Sequence, residues 1–329
     1  MNPRPSAPVD PPIPAVRSAV QIALAEDVQV LGDITAALVP AGSSARAAVV
    51  ARQEGVIAGS SCAIEVFAQV DPDLAVRWML PDGSGVTRGS VVAEVEGSLR
   101  SILTAERSAL NFLCQLSGVA TLAHRFVEAA RSANPATRIL DTRKTIPGLR
   151  SLQKAAVRAG GAANHRASLS DAVLVKDNHL GGVTIGEAVA LARSWWPGRY
   201  VEVECDRSEQ VAEAIEAGAS AVLLDNMTPG EVAACVEMVR SAPHAAGMLV
   251  EVSGGVTLDT VGAYASAGAD LISVGAITHS APILDLGLDL LPPGYSHLGQ
   301  PGGSSAGATV GAADGAGATA GAADAGGGV

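Results

Sequence analysis

Beyond Gly118 the sequence repeats one pattern, in which a short apolar run alternates with an amphipathic helical stretch. Each run ends in a polar or glycine cluster, as in RILDTRK, AVLVKDN, YVEVECD, SAVLLDN, MLVEVSGG and LISVGAIT. Repeated strand–helix units predict parallel strands, and this many in succession favour a barrel over a short open sheet. A doubly wound sheet stays open as an alternative, because periodicity does not separate the two arrangements.

The first third of the chain has a different pattern. From Ala45 to Arg100, short Val/Ile/Leu runs alternate with turn sequences such as PDGSG, which predicts a β-rich module with one helix near residues 60–69. Helical periodicity also covers residues 16–25. The segment TAERSALNFLCQLSG predicts an amphipathic helix that begins at the N-cap Thr104 and ends near Gly118.

Both ends of the chain are biased in composition. Residues 1–15 are rich in proline and predict a flexible arm, whereas residues 297–329 consist mostly of small residues that bury too little surface to offset chain entropy, so we expect disorder there. The first twenty residues hold too many prolines for a signal peptide, and no apolar run is long enough to cross a membrane. The expected location is the cytoplasm, with no membrane partner.

Composition narrows the class of protein. A chain of 329 residues that is 48% hydrophobic can bury a substantial core. Its net charge of −11 argues against a general polyanion binder, so we expect no nucleic-acid partner. The four cysteines stand far apart without a CxxC pair, which predicts reduced thiols rather than a zinc site.

The basic residues are concentrated in one part of the chain. All three lysines, Lys144, Lys154 and Lys176, fall in a short stretch, and residues 138–166 contain seven basic residues against the single acid Asp141. A solvated helix face explains part of this run, because residues 150, 154 and 158 follow helical spacing. The position of every lysine there favours instead a small, highly charged anion as ligand.

Polar residues at the strand ends predict one ligand with three parts, because catalytic groups of α/β barrels lie at the C-terminal ends of strands. Cations such as Arg143, which comes early, suit carboxylates and pyrophosphate. The later acids suit ribose hydroxyls or Mg²⁺, although ion pairing with lysines would also explain them. SGG and SVGA suit a phosphate monoester. His165 in NHR has a structural and a functional interpretation that are about equally favoured.

The chain resembles the quinolinate phosphoribosyltransferases (carboxylating nicotinate-nucleotide pyrophosphorylases) from about Glu26 to Leu290. The matching blocks are TAERSALNFLCQLSGVAT, ILDTRKTIPGLRSLQKAAVRAGGAANHR, LSDAVLVKDNH, VEVECDRSEQ, LLDNMTP, SGGV and VGAITHS. The resemblance implies an N-terminal α/β sandwich over residues 16–118, rejoined by residues 281–296, and an incomplete, TIM-like α/β barrel over residues 119–280. It also implies a homodimer, or a higher homo-oligomer, in which the sandwich of one subunit covers the barrel mouth of the other.

The resemblance further implies an activity and a role for each matching residue. The reaction joins quinolinate to phosphoribosyl pyrophosphate with Mg²⁺ and releases CO₂, pyrophosphate and nicotinate mononucleotide, as in NAD biosynthesis. The implied quinolinate ligands are Arg107 from the neighbouring subunit, Arg143, His165 and Arg166. The implied catalytic residues, which also bind phosphoribosyl pyrophosphate, are Lys144, Lys176, Glu204 and Asp225, and the two acids are also candidates for Mg²⁺. The implied 5′-phosphate ligands are Ser253, Gly254, Gly255, Gly275 and His279.

One position departs from the family, which usually has three glycines before NHR, whereas this chain has Ala162 after Gly160 and Gly161. The methyl group is tolerable only if residue 162 has negative φ. Three other functions stay open: a phosphoribosyltransferase of the same fold for a different acid, a lyase or aldolase with a Schiff-base lysine, and a non-catalytic metabolite-binding protein.

Overall fold

A computed structural model describes residues 10–292. The helices are α1 (Ile13–Asp27), α2 (Ser60–Val70), α3 (Leu99–Ala133), α4 (Arg150–Ala159), α5 (Ile185–Trp195), α6 (Ser208–Glu216), α7 (Pro229–Ser241), α8 (Val261–Ser266) and α9 (Ala276–His279), with 3₁₀ turns at Ala36–Leu38, Asp177–His179 and Pro243–Ala245. The strands are β1 (Ser44–Ala51), β2 (Gly55–Val56), β3 (Ala75–Trp78), β4 (Gly85–Val86), β5 (Val91–Ser98), β6 (Arg138–Leu140), β7 (Val173–Val175), β8 (Val201–Cys205), β9 (Ala221–Asp225), β10 (Leu249–Ser253), β11 (Leu271–Ser273) and β12 (Leu286–Leu290).

Four strands form an antiparallel sheet in the order β12-β1-β5-β3, beside a small β2–β4 pair. The last strand comes from the far end of the described chain and pairs with the first, with Ala47 opposite Leu290 and Ala51 opposite Leu286. Helix α2 packs against α3 beside this sheet and buries Phe67 completely. The sheet therefore depends on segments that lie more than 200 residues apart in sequence.

The other six strands form a parallel sheet in the order β6-β11-β10-β9-β8-β7. From β7 to β11 each strand lies beside its successor, whereas a doubly wound sheet reverses direction partway. This order excludes the doubly wound alternative, and the predicted fold class, an antiparallel module with an incomplete α/β barrel, is confirmed. Within the described part of the chain, β6 and β7 do not pair, so the barrel is open between them.

Two predicted helix boundaries are wrong. Helix α3 spans Leu99–Ala133 rather than the segment from Thr104 to Gly118, and Ser98 caps it by accepting a hydrogen bond from the Ser101 amide. Gly118 lies inside the helix, where a Cβ atom would stand 2.0 Å from the Pro282 carbonyl oxygen. The glycine therefore permits a close backbone contact and does not end the helix.

The ends of the chain also differ from expectation where they can be compared. Helix α1 begins at Ile13 after the N-cap Pro12, so the last three residues of the predicted arm are helical, as expected for a proline just outside a first turn. Residues 1–9 and the predicted disordered segment 297–329 lie outside the described residues. No helix in the range 10–292 is long and apolar enough to span a bilayer. The four cysteines are free thiols, as predicted.

Candidate active site

The six parallel strands bring most of the predicted site residues to one edge of the barrel. All these strands run in the same direction, so their C-terminal ends share that edge. In the spatial order of the strands the edge carries Lys144 after β6, Gly275 after β11, Ser253 at the end of β10, Asp225 at the end of β9, Glu204 in β8 and Lys176 after β7.

The glycines at this edge leave backbone exposed where no side chain fits. Gly254 has φ of +90°, and a Cβ atom there would stand 2.3 Å from Oδ1 of Asn226. Asn226 itself has φ of 57°, and its amide donates to the Ser253 carbonyl at 3.0 Å. A Cβ atom on Gly275 would come within 3.1 Å of Nε2 of His279 and 3.2 Å of Cδ of Lys144. The two glycine loops and Lys144 therefore lie around the same part of the edge.

The cations and carboxylates differ in how they are partnered. Lys176 forms an ion pair with Glu204, so the alternative explanation of that acid, pairing with a lysine, holds in this state of the protein. The Asn226 side-chain amide donates to the Asp225 carboxylate at 2.7 Å. The Lys144 side chain is exposed, while its carbonyl accepts a hydrogen bond from the Thr278 hydroxyl at 2.6 Å. Lys144 is thus held by its backbone with its ammonium group free to move.

Lys154 does not join the anion site, which corrects the inference that every lysine serves the ligand. It is 4% exposed, and its Nζ donates to Oδ1 of Asp141 at 2.6 Å and to the His165 carbonyl at 2.8 Å. Asp141, fully buried, also accepts from the Asn164 side chain and the His165 amide, both at 2.8 Å. This network fixes the NHR segment against α4, so the predicted solvated helix face is wrong at residue 154.

Burial opposes the charged form of both groups in this pair. It raises the pKa of Asp141, while the charge and hydrogen bond of Lys154 oppose the rise. It lowers the pKa of Lys154, and Asp141 opposes that shift in turn. The two residues therefore depend on each other to remain ionised away from water.

Arg143 follows β6 and Arg166 precedes β7, on either side of the opening in the barrel. Burial lowers the pKa of Arg166, and repulsion from the Arg143 guanidinium lowers it further. Arg166 also donates to the Ala172 carbonyl at 3.1 Å. The Nε atom of Arg143 is buried without a hydrogen-bond partner. Two interacting guanidinium groups, one with an unused donor, suit a carboxylate ligand.

His165 lies beneath these arginines, with both ring nitrogens in contact with protein. Nδ1 accepts from the Arg166 amide at 2.8 Å, and Nε2 lies 3.2 Å from Oε2 of Glu202 and 3.5 Å from Oε1 of Glu251. The two glutamates are 2% and 1% exposed. Sequence reasoning gave Glu202 no role and passed over Glu251, although acids at alternate positions of an apolar strand indicate carboxylates inside a barrel.

Arg107 is the one predicted site residue that lies before the barrel strands in sequence. It is exposed on α3 and lines a cavity of about 490 Å³ together with Asp27 of α1 and Ile146 and Leu149 of the segment after β6. Its predicted action in the site of a neighbouring subunit stays a prediction.

The alanine at position 162 fits the turn before NHR. Gly161 has φ of +85°, whereas Asn226 is the one non-glycine with positive φ in residues 10–292, so Ala162 has negative φ. A Cβ atom on Gly160 would stand 2.3 Å from the Ala120 carbonyl oxygen. The first two glycines are therefore needed for the close approach and the turn, and the methyl group at 162 is tolerated.

An open α/β barrel whose strand ends carry cations, carboxylates and glycine loops is typical of an enzyme that binds a phosphorylated, anionic ligand. The model of the quinolinate phosphoribosyl transferase C-terminal domain matches residues 119–289, and that of the N-terminal domain matches residues 33–117. The chain belongs to the quinolinate phosphoribosyltransferase family.

Individual relatives agree with this assignment. The carboxylating nicotinate-nucleotide pyrophosphorylase of Mycobacterium leprae is 40% identical over 280 residues, which cover 84% of this chain and 97% of the relative. A probable enzyme of the same name from Synechocystis is 43% identical over 244 residues, covering 74% and 81%. The solved nicotinate-nucleotide pyrophosphorylase of Francisella tularensis is 39% identical and superposes with a TM-score of 0.81, covering 86% and 99%.

Proposed function

We propose that the protein transfers the phosphoribosyl group of phosphoribosyl pyrophosphate to quinolinate with loss of CO₂, which gives nicotinate mononucleotide and pyrophosphate. The observation that carries this proposal is the single strand-end edge that holds cations at both sides, acids between them and two glycine loops. Relatives named as carboxylating nicotinate-nucleotide pyrophosphorylases and decarboxylating quinolinate phosphoribosyltransferases support it.

Each group at the site has a proposed role that follows from its chemistry. Arg143 and Arg166 hold the two carboxylates of quinolinate, with His165 completing the set and Arg107 entering from a partner subunit. Lys144 and Lys176 face the pyrophosphate, and Glu204 and Asp225 bind the ribose hydroxyls. The 5′-phosphate lies against the ends of β10 and β11, at Ser253, Gly254, Gly255, Gly275 and His279. Lys176 would exchange its ion pair with Glu204 for pyrophosphate when the substrate binds.

The reaction needs positioning and charge stabilisation more than covalent participation by the protein. Pyrophosphate leaves C1′ with the electron pair of the C1′–O bond, and the quinolinate nitrogen donates its pair to C1′. The ring then carries a positive charge, so the bond from C2 to its carboxylate breaks, CO₂ leaves, and the pair at C2 takes a proton from solvent. Carboxylates near C1′ favour the positive charge that develops there, and the lysines favour the departing anion.

We also propose Mg²⁺ as the metal, which would be held through the pyrophosphate of the substrate and would supply positive charge for the leaving group. Glu204 and Asp225 would be its candidate protein ligands at this edge, since carboxylate oxygens are the hard donors that Mg²⁺ prefers. The residues present therefore fit this ion.

The activity is tested by incubating the protein with quinolinate carrying a labelled 2-carboxylate, phosphoribosyl pyrophosphate and Mg²⁺. We expect one labelled CO₂ for each pyrophosphate released, and a panel of other pyridine carboxylic acids should give far lower kcat/KM. Lys144→Ala should lower kcat about 100-fold, since it removes a charge that stabilises the leaving group. Arg131→Ala, which removes an exposed cation far along α3, is the matched control. The proposal would be refuted if quinolinate gave neither CO₂ nor pyrophosphate, or if both were released with another acid instead.

The shared site is a separate proposal with its own experiment. Arg107→Ala damages the site of the partner subunit, whereas Arg166→Ala damages the site of its own subunit. Mixing the two inactive proteins should therefore restore activity in hybrid oligomers, up to about a quarter of the wild-type value if subunits exchange at random in dimers. No recovery, despite subunit exchange confirmed by mass-labelled chains, would count against a site built from two subunits.

The cytoplasmic location stays a prediction.

A further inference from the structure

Two buried glutamates and a half-buried histidine meet inside the barrel, below the edge that holds the proposed substrate ligands. Glu202 is the second residue of β8 and Glu251 the third of β10, and both point at the imidazole of His165. One polar atom from each of the three lies within 4.8 Å of the others. The proposed function gives this cluster no role beyond the side chain of His165.

The backbone determines which nitrogen of His165 carries the proton. An amide N–H can only donate, and the Arg166 amide points at Nδ1 from 2.8 Å. Nδ1 therefore accepts and carries no proton. The remaining ring proton lies on Nε2, which donates to Oε2 of Glu202 at 3.2 Å. The imidazole is thus the neutral Nε2–H tautomer.

The same tautomer argues against a metal ion at this cluster. One imidazole and two carboxylates are a possible ligand set for zinc or manganese. A metal needs the lone pair of Nε2, and a metal-bound histidine ordinarily donates its other ring N–H to a partner. Here Nδ1 accepts instead, so Nε2 offers a proton and not a lone pair.

Two carboxyl groups then remain with one N–H donor between them. Oε1 of Glu202 and Oε1 of Glu251 are buried without a hydrogen-bond partner. Two carboxylates that share a buried site do not both ionise, because their charges repel and burial disfavours each. Burial raises the pKa of Glu251 well above its ordinary value, the charge of Glu202 raises it further, and a hydrogen bond from Ser273 opposes both.

Among residues 10–292, nearby groups do not supply a buried cation that would hold both acids ionised. Arg138 of β6 lines the cavity beside them but is exposed. Arg166 interacts with the charge of Glu202, but its guanidinium donates to the Ala172 carbonyl. Glu204 of β8 is paired with Lys176. The remaining polar groups that line this cavity are Asn164, Asp171 and Tyr200, and burial together with the charges of both acids raises the pKa of Tyr200.

We propose that Glu202 and protonated Glu251 act as positioning residues, which hold His165 as the neutral Nε2–H tautomer and, through its Nδ1, fix the backbone of Arg166. His165 then serves the site by orienting Arg166 toward a carboxylate of the substrate, and this indirect role replaces the direct contact proposed above for its side chain. The kinetic part of this inference rests on the proposed function, whereas the tautomer does not.

The tautomer is tested in the intact wild-type protein by ¹⁵N NMR with labelled histidine, and the His165 signal is assigned by its loss in His165→Gln. We expect the Nε2–H pattern at neutral pH. An imidazolium, or the Nδ1–H tautomer, would overturn the proposal. This readout needs no catalytic activity, so it stands even if the proposed reaction is not found.

Kinetics separate a protonated Glu251 from an ionised one. Glu251→Ala should raise the KM for quinolinate about tenfold or more, the effect of losing a hydrogen bond to a charged group, with a smaller change in kcat. Glu251→Gln, which has the shape of the protonated acid, should restore KM to within about threefold of wild type. Exposed Glu237 of α7 provides the control pair Glu237→Ala and Glu237→Gln, for which neither parameter should move. A Glu251→Gln variant as impaired as Glu251→Ala would overturn the protonated state of Glu251.

Elemental analysis of the purified protein tests the metal alternative directly. We expect no stoichiometric zinc or manganese in the wild type and no difference in metal content for Glu251→Gln. A bound ion that disappears in Glu251→Gln would show that the cluster is a metal site and would overturn the proposal.

Discussion

Replacing Lys154 with methionine removes the cation from the buried pair with Asp141 while it keeps most of the aliphatic chain. The partner carboxylate is fully buried and would be left with two neutral donors, the Asn164 side chain and the His165 amide. Breaking a buried ion pair on one side costs about 3–5 kcal/mol, because an uncompensated charge remains. We expect Lys154→Met to lose about that much unfolding free energy.

Urea denaturation followed by circular dichroism measures this loss at fixed protein concentration. With an m-value of about 3 kcal/mol/M, the midpoint should fall by about 1 M or more. Lys144→Met is the matched control, since the Lys144 side chain is exposed and surface changes stay within about 0.5 kcal/mol. That variant should keep its stability and lose activity.

The double variant Lys154→Met with Asp141→Asn tests whether charge is the cause. Asparagine removes the stranded carboxylate but still offers a carbonyl oxygen to the His165 amide, so the double variant should be more stable than Lys154→Met alone. A loss below about 1 kcal/mol in Lys154→Met, or a double variant whose loss equals the sum of the two single losses, would refute the account of a coupled buried pair.

Three further predictions follow from other positions. Gly118→Ala should destabilise the protein by several kcal/mol in a denaturation experiment, because its Cβ would stand 2.0 Å from a carbonyl oxygen. The control Gly186→Ala in α5 meets nothing closer than 3.9 Å and should stabilise the protein by up to about 1 kcal/mol. Equal effects of the two substitutions would contradict the close contact at Gly118. Gly254→Ala should raise the KM for phosphoribosyl pyrophosphate, since φ of +90° strains any other residue and the added Cβ would displace the neighbouring asparagine; unchanged steady-state kinetics would remove this loop from the site. Because the pKa of Glu251 is raised, the folded chain keeps a proton that the unfolded chain releases above about pH 4.5. The wild type should therefore lose more stability than Glu251→Gln as the pH rises from about 5 to 8. Parallel profiles of unfolding free energy against pH for the two proteins would refute the shift.

The sequence was informative where a local pattern determines the outcome. All six apolar runs beyond Gly118 are strands of the parallel sheet, because a buried strand needs a continuous apolar run and its polar terminus marks the edge of the sheet. The same logic predicted that Lys144, Glu204, Asp225 and Gly254 occur at strand ends, which is where the structure has them.

Features that depend on distant partners were not predictable in this way. The glycine at 118 looked like a helix end, and only the segment before β12 explains it. Lys154 was expected to serve the anionic ligand, because the residue that neutralises it lies on another element. The apolar run around Glu251 indicates a buried carboxylate but not its role, since the histidine that it faces comes from the segment between α4 and β7. Hydrophobic periodicity and composition describe the element on which a residue lies, and not the residues of other elements that contact it.

The pairing of β12 with β1 has a consequence for synthesis on the ribosome. The first sheet lacks one of its edge strands until residues 286–290 have been translated, which is after every barrel strand has been translated. Until then β1 has a free row of amide and carbonyl groups that can pair with another nascent chain. Rapid folding of the barrel behind it would protect the growing polypeptide, so translation pauses upstream of codon 286 would favour aggregation.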